Sequence, residues 1–345
     1  MKKTGLAFGI VVTALTVSLL SGCNSAPQKP AEEVLRDGVA NLAQVTSAKY
    51  DVSLKGDIKD PSSTDVTFDL GASGLFDVKD MKLPKLAIKL IGSASDKSGM
   101  DGKVGAELRL DKDMAYFNIM NVDSKALPLP ADVKALMNKW WSSKVPQDVM
   151  DQLKTTTTTS VAGGTQESKF KSLLAGANLF TKPTLVGTES VGGESSWHYQ
   201  TSIDNAGLVA LMKKVSEEEG TTVSADELAK MNKQFEKIKI SGDVWIAIQS
   251  GIMNKFEGTF IMTGAAGEPS GTVNVKMELD GINQVVKVEI PAPVEEFTMD
   301  KATPIMMMLQ GGAPTDSSLG GAVSGELSGE TQSQGLELAT QAAVQ

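Results

Sequence analysis

The sequence predicts an α+β fold: one large antiparallel sheet of about ten or eleven strands, curled, with helices covering its concave side. Three observations predict it. Apolar and polar residues alternate with period two in segment after segment. Helical three- and four-residue spacing returns only in a few short stretches, and Gly, Asp, Lys, Ser and Pro mark brief turns between the strands.

The chain opens on Met1-Lys2-Lys3, then runs uncharged from Gly5 to Leu20, with Ser21 and Gly22 ahead of Cys23. Basic start, short apolar stretch and small-residue end make a secretory signal over 1–22. Its 16 uncharged residues fall short of the ~20 that a membrane-spanning helix needs. Residues 23–30, ending in "NSAPQKP", are small, polar and proline-bearing and read as a tether.

A domain over 31–300 follows. "AEEVLRDGVANLAQV" places Val34, Leu35, Val39, Leu42 and Val45 at helical spacing. The period then switches to two. Tyr50, Val52, Leu54 and Ile58 oppose Asp51, Ser53, Lys55 and Asp57, and the same alternation recurs through Val66, Phe68 and Leu70, then Leu86, Ile88 and Leu90, then Val104, Ala106, Leu108 and Leu110. "MAYFNIM" completes a five-stranded meander. A helix near 131–139, the pair Trp140-Trp141 and the threonine-rich 155–168 come next, with a short helix around 167–176. A hairpin turns near Gly192-Gly193, and two helices follow, the second opening on Ser224 with Glu227 three residues on, a capping box. The last strands are "IKISGDVWIAIQ", "IMNKFEGTFIMT", "GTVNVKMELDGI" and "QVVKVEIPAP". Residues 301–345 carry no sustained apolar period and are expected to form a disordered tail.

Composition narrows the function. Removing 1–22 takes Lys2 and Lys3 from the 33 basic residues, leaving 31 against 42 acidic, a net charge of −11. So acidic a body lacks the clustered Lys and Arg that nucleic acid requires. Arginine occurs only at Arg36 and Arg109, which argues against a bidentate phosphate clamp. His198 is the sole histidine and Cys23 the sole cysteine, so no zinc-type ligand spacing exists and no metal or other cofactor is expected. Neither G-x-S-x-G nor a phosphate-binding glycine loop occurs. The chain reads as a non-enzyme. His198, between Trp197 and Tyr199, reads as an ordinary strand residue. Asp111/Asp113 and Glu217 to Glu219 read as solvated surface. Trp140 and Trp141 either form an aromatic platform for sugar or lipid, or pack, one beneath the sheet and one at its edge. Met306, Met307 and Met308 form an adaptable apolar cluster.

Two resemblances sharpen this. Leu20-Ser21-Gly22-Cys23 resembles the bacterial lipobox in all four positions. That implies a diacylglycerol thioether on Cys23, cleavage before it and N-acylation, hence an extracytoplasmic protein anchored to the membrane by lipidated Cys23. The order helix, meander, "NKWWSSKVP", "GESSWHYQTSID", helix pair and a final strand ending "VKVEIPAPVEEF" resembles the LolA/LolB-like lipoprotein-carrier superfamily, nearest its LppX/LprG-type lipoproteins. The resemblance covers about 31–300 and implies a half-barrel sheet around helices, with an apolar cavity that takes acyl chains. Val52, Leu54, Phe68, Leu70, Ile88 and Leu90 share one face of the meander and either line that cavity or pack against the helices. Two functions follow: a lipid-binding or lipid-carrying envelope lipoprotein, or a non-catalytic structural or protein-interaction lipoprotein with a filled core. A monomer is expected, its ligand a lipid or a lipoprotein acyl chain. A pocket of several hundred Å3 lined by Val, Ile, Leu and Met separates the two.

Overall fold

The computed structural model describes residues 27–298 and 301, without 62–64, 81–83, 100, 125–128, 130, 151–171, 175, 176, 178, 219 and 266. The chain divides between Ala302 and Thr303, and everything past that point lies outside the described residues. So do Cys23, the threonine run and Met306 to Met308.

Helix α1 (Ala31–Ala40) leads through a 3-10 turn at Asn41–Gln44 into five long strands. These are β1 (Ser47–Lys59), β2 (Val66–Asp77), β3 (Lys85–Asp96), β4 (Asp101–Asp111) and β5 (Met114–Ser124). Helix α2 (Ala131–Ala135) and the short β6 (Trp141–Lys144) follow. The second half holds β7 (Phe180–Val191), β8 (Glu194–Ile203), α3 (Asn205–Glu218), α4 (Ala225–Glu236), β9 (Ile238–Ala247), β10 (Met253–Met262), β11 (Ser270–Asp280) and β12 (Glu295–Glu296). All twelve strands form one open sheet in the order β12-β6-β5-β4-β3-β2-β1-β11-β10-β9-β8-β7. Every pairing is antiparallel except that of β12 with β6. Two meanders thus meet at one seam, where β1 pairs with β11.

Register explains why one side of this sheet is apolar throughout. Directly opposed residues in antiparallel strands share a face. One such row runs Tyr199, Val244, Phe256, Met277, Val52, Ala72, Leu90, Ala106 and Ile119. Against the β7–β10 end of that face packs α1. Its Val34, Leu35 and Ala40 join Phe180, Tyr199, Val244 and Ile246 in the main core, with Leu211 of α3 packed alongside. Glu32 and Glu33 occupy the first turn of α1, where the helix dipole favours negative charge. Gly38 costs a helix about 1 kcal/mol relative to alanine, yet a Cβ there would collide with the Ile246 side chain. The glycine lets α1 sit close on β9.

At the other end, Trp141 lies opposite Phe117 and so on the same apolar face. It is buried, and its indole N–H donates to Leu136 O at 2.8 Å, just past α2. Phe297 packs edge-on against Phe117 and Trp141, with centroids 4.8 and 5.9 Å away. Trp140 instead receives the Arg109 guanidinium, 4.6 Å above its ring. Trp141 is thus packed beneath the sheet, and Trp140 is half-buried against Arg109.

Several expected elements differ in detail. The capping box closes as anticipated, Ser224 N donating to Glu227 Oε2 at 2.8 Å and Glu227 N to Ser224 Oγ at 3.3 Å. The β7–β8 hairpin turns on Gly192 and Gly193, both at positive φ. Helix α2 stops at Ala135 rather than near 139, because Met137 bridges to Ile119 of β5 and the chain becomes β6. "QVVKVEIPAP" is not a strand. Both edges of β11 are already taken by β1 and β10, so 281–294 instead crosses the sheet as a strap. Asn283 N donates to Ser47 O at 2.7 Å, and Arg109 Nη1 to Glu289 O at 2.6 Å. At its far end Glu295 N donates to Trp140 O at 2.9 Å. Val286 and Val288 are buried while Val285 is 90% exposed, a strand-like alternation produced by one-sided burial alone. Twelve strands, against ten or eleven expected, result from β6 and β12 joining and this segment leaving.

Candidate functional site

The six residues singled out on the meander do share one face. Val52 pairs with Ala72 and on to Leu90, while Leu54 pairs with Leu70. Phe68 lies opposite Gly56, and Ile88 opposite Gly74. Val52, Leu54, Phe68 and Ile88 are half-buried, but Leu70 is 46% and Leu90 51% exposed. A Cβ on Gly56 would strike the Phe68 ring. The aromatic lies flat across the glycine instead of rising from the sheet, which keeps that part of the surface low.

Two residues outside the six extend the patch. Val104, opposite Gly92, is 53% exposed, and Leu108, opposite Ile88, is also exposed. Their own alternation placed them on strands. The cross-strand register that puts them beside Leu70 and Leu90 needs the pairing itself. The result is an apolar strip across β2, β3 and β4, flanked by the α1 core on one side and the Trp141/Phe297 cluster on the other. A contiguous apolar strip of this kind is the sort of surface on which ligands or partners dock.

The opposite face is polar. His198 sits between two carboxylates, Nδ1 2.8 Å from Glu189 Oε1 and Nε2 2.8 Å from Asp243 Oδ1, and stacks on Trp245 with centroids 4.3 Å apart. Trp245 Nε1 donates to Glu189 Oε2 at 3.1 Å. That N–H, and then the His198 ring, hold the Glu189 carboxyl below the usual carboxylate range. The Lys255 ammonium lies 4.1 Å over the Trp245 ring and 3.0 Å from Glu257, whose carboxyl it likewise lowers. Among the described residues no group of three or more His, Cys, Asp or Glu is placed to hold a metal ion. His198 is therefore a fully engaged side chain, richer in partners than its strand position suggested.

Cavities lined by described residues include the following three. One of about 920 Å3 lies on the polar face between β1 and β7, lined by Lys55, Lys182, Gln200, Asp243, Glu257 and Thr259 among others. A second, about 560 Å3, runs under the strap between Val286 and Arg109 on the polar face. A third, about 500 Å3, lies at the foot of α1. None of these three is lined mainly by Val, Ile, Leu and Met, the kind of pocket that would separate the two functions. Among the described residues the apolar surface of the meander is a half-exposed strip.

One buried group carries a consequence for stability. The Tyr199 hydroxyl lies in the main core with no hydrogen-bond partner among the described residues, and burial pushes its pKa up to about 12. An unfolded tyrosine ionises near 10, so between about pH 10 and 12 the folded state holds a proton that the unfolded state has lost. Stability should be level in this respect below pH 10 and fall above it, by roughly 1.4 kcal/mol per pH unit at most. Tyr199→Phe removes the orphaned hydroxyl and should raise stability by about 1 kcal/mol at pH 7. It should also flatten the alkaline decline, as urea titrations at pH 7 and pH 11 would show.

No family model and no curated protein matches the chain. Among solved structures it is similar to the lipoprotein LppX of Mycobacterium tuberculosis, with 17% identity over 75% of this chain and 97% of that one, at a TM-score of 0.30. LprF from Mycobacterium bovis aligns with 11% identity over 76% and 97%, at 0.31. A LolA superfamily protein from Nitrosomonas europaea aligns with 8% identity over 76% and 96%, at 0.16. LppX and the LolA superfamily are the groups that the order of elements in the sequence resembles; the fold itself stands on the strand order and register described above.

Proposed function

We propose that this protein is a bacterial envelope lipoprotein, held to the membrane outside the cytoplasm by lipid on Cys23, that binds or carries acyl chains on the apolar strip of β2–β4. In this reading 1–22 is removed, 23–30 is the tether and the sheet domain does the binding without catalysis. What supports it is the strip: Leu70, Leu90, Val104 and Leu108 lie bare on one face, with core packed at both ends of the same face. Such a surface offers a ligand no hydrogen bonds and favours saturated hydrocarbon. Two acyl chains hold a protein at a membrane stably where one does not, so lipid on Cys23 would keep the strip near its ligands.

The test is direct binding of a fluorescent fatty acid by the body without its first 22 residues, expected at micromolar affinity or better. Covering a leucine side chain contributes about 1.5–3 kcal/mol. Leu90→Glu should therefore weaken binding by at least about ten-fold, and Leu90→Trp should also change it, both with native circular dichroism. Absence of binding across fatty acids, phospholipids and acylated peptides would sink the lipid reading and leave the interaction lipoprotein with a filled core.

A further inference from the structure

The groove at the foot of α1 points to a ligand the chain carries itself. Its tether side is Pro27, Gln28 and Lys29, and its wall is Val34, Trp197, Ile246 and Ile248. The volume, about 500 Å3, lies within the ~300–1,000 Å3 of small-molecule sites. Lys29, Asp37 and Asn41 around it are already engaged. Lys29 Nζ lies 2.7 Å from Asp37 Oδ2 and 3.3 Å from Glu33 Oε1, and Asn41 Nδ2 donates to Gly251 O at 2.9 Å. What remains open to a guest is the apolar wall.

Cys23 stands four positions before Pro27. At ~3.5 Å per residue the tether reaches about 14 Å at full stretch, so whatever the sulfur bears is confined beside the mouth. A group confined by so short a link meets the groove at an effective concentration of order millimolar. We propose that, off the membrane, this groove sheathes one acyl chain of the lipid on Cys23. The inference rests on the lipoprotein reading above, but not on the β2–β4 strip. It gives the anchor two resting places, bilayer and groove, and so a route by which the protein leaves a membrane without exposing the whole of its lipid.

The experiment uses the full chain, labelled in cells with a palmitate that carries a diazirine and an alkyne. The protein is extracted, moved to dilute detergent-free buffer, irradiated and mapped by tandem mass spectrometry. Label at Cys23 with cross-links to the peptides holding Trp197 and Ile246–Ile248, at a yield independent of protein concentration, is the expected result. Ile248→Trp, which fills the groove, should lower that yield several-fold with Cys23 labelling unchanged. Should Ile248→Trp not fold, a Gly/Ser insert of about ten residues between Ala26 and Pro27 serves instead. It should cut the yield roughly six-fold, since effective concentration falls as about the −3/2 power of tether length. Labelled Cys23 whose cross-links fall elsewhere, on the β2–β4 strip or on a second copy, overturns the docking and leaves the lipoprotein reading standing. An unlabelled Cys23 overturns both.

Discussion

Leu35→Ala is expected to lower the thermal midpoint by about 5–15 °C, the largest effect of any single truncation in α1. Leu35 is fully buried where α1 meets β7, β9 and β10, in contact with the core around Tyr199, Val244 and Ile246. Truncating such a leucine costs about 2–5 kcal/mol, the spread depending on how far the cavity collapses. For a domain of this size each kcal/mol moves the midpoint by about 2–4 °C. Leu35→Asp buries an uncompensated carboxylate as well and should leave little folded protein. The matched control is Leu90→Ala, half-exposed on the strip, which should shift the midpoint by no more than about 2 °C because little area returns to water. Differential scanning calorimetry of the three variants decides it. A Leu90→Ala loss as large as that of Leu35→Ala would mean that the strip is core, and that the proposed ligand surface does not exist.

Cys23→Ser carries the second large effect, on location rather than stability. With the sulfur replaced there is no thioether to form, and the chain has no other cysteine to take its place. Among the described residues no helix is long and apolar enough to cross a membrane. The expected outcome is an unprocessed precursor or a soluble product, with palmitate incorporation lost entirely. Fractionation and radiolabelling of the two chains in parallel provide the check. Membrane association together with retained palmitate in the serine variant would end the lipoprotein reading, whatever the sheet binds.

Much of the sheet was legible because one face is apolar along its whole width. In β1–β4 the alternation runs over eleven to thirteen residues per strand, and a register slip of one residue would turn every apolar side chain to the wrong side. The six meander residues followed from that parity. Ser224 and Glu227 marked the start of α4 for an equally local reason. What escaped was non-local. β6 has four residues, too few for a period to show, and forms because β5 offers a free edge. The segment 285–290 has the period of a strand without the partner of one. Which part of the face the helices would cover could not be read from their own patterns. It depends on Gly38 meeting Ile246, two residues 208 positions apart.

The seam between β1 and β11 sets an order of assembly. β1 is complete at Lys59, but the strand that pairs with its second edge begins at Ser270, 211 positions later. In a chain delivered amino terminus first, the first meander can assemble while one long edge of β1 stays open. An uncapped edge of alternating apolar residues invites pairing with another chain. A nascent chain halted before β11, or clipped after β10, would carry that edge permanently. Truncation after Pro269 should therefore yield aggregates, while truncation after Asp280 should leave β1 paired on both edges and the sheet short of only its strap and β12.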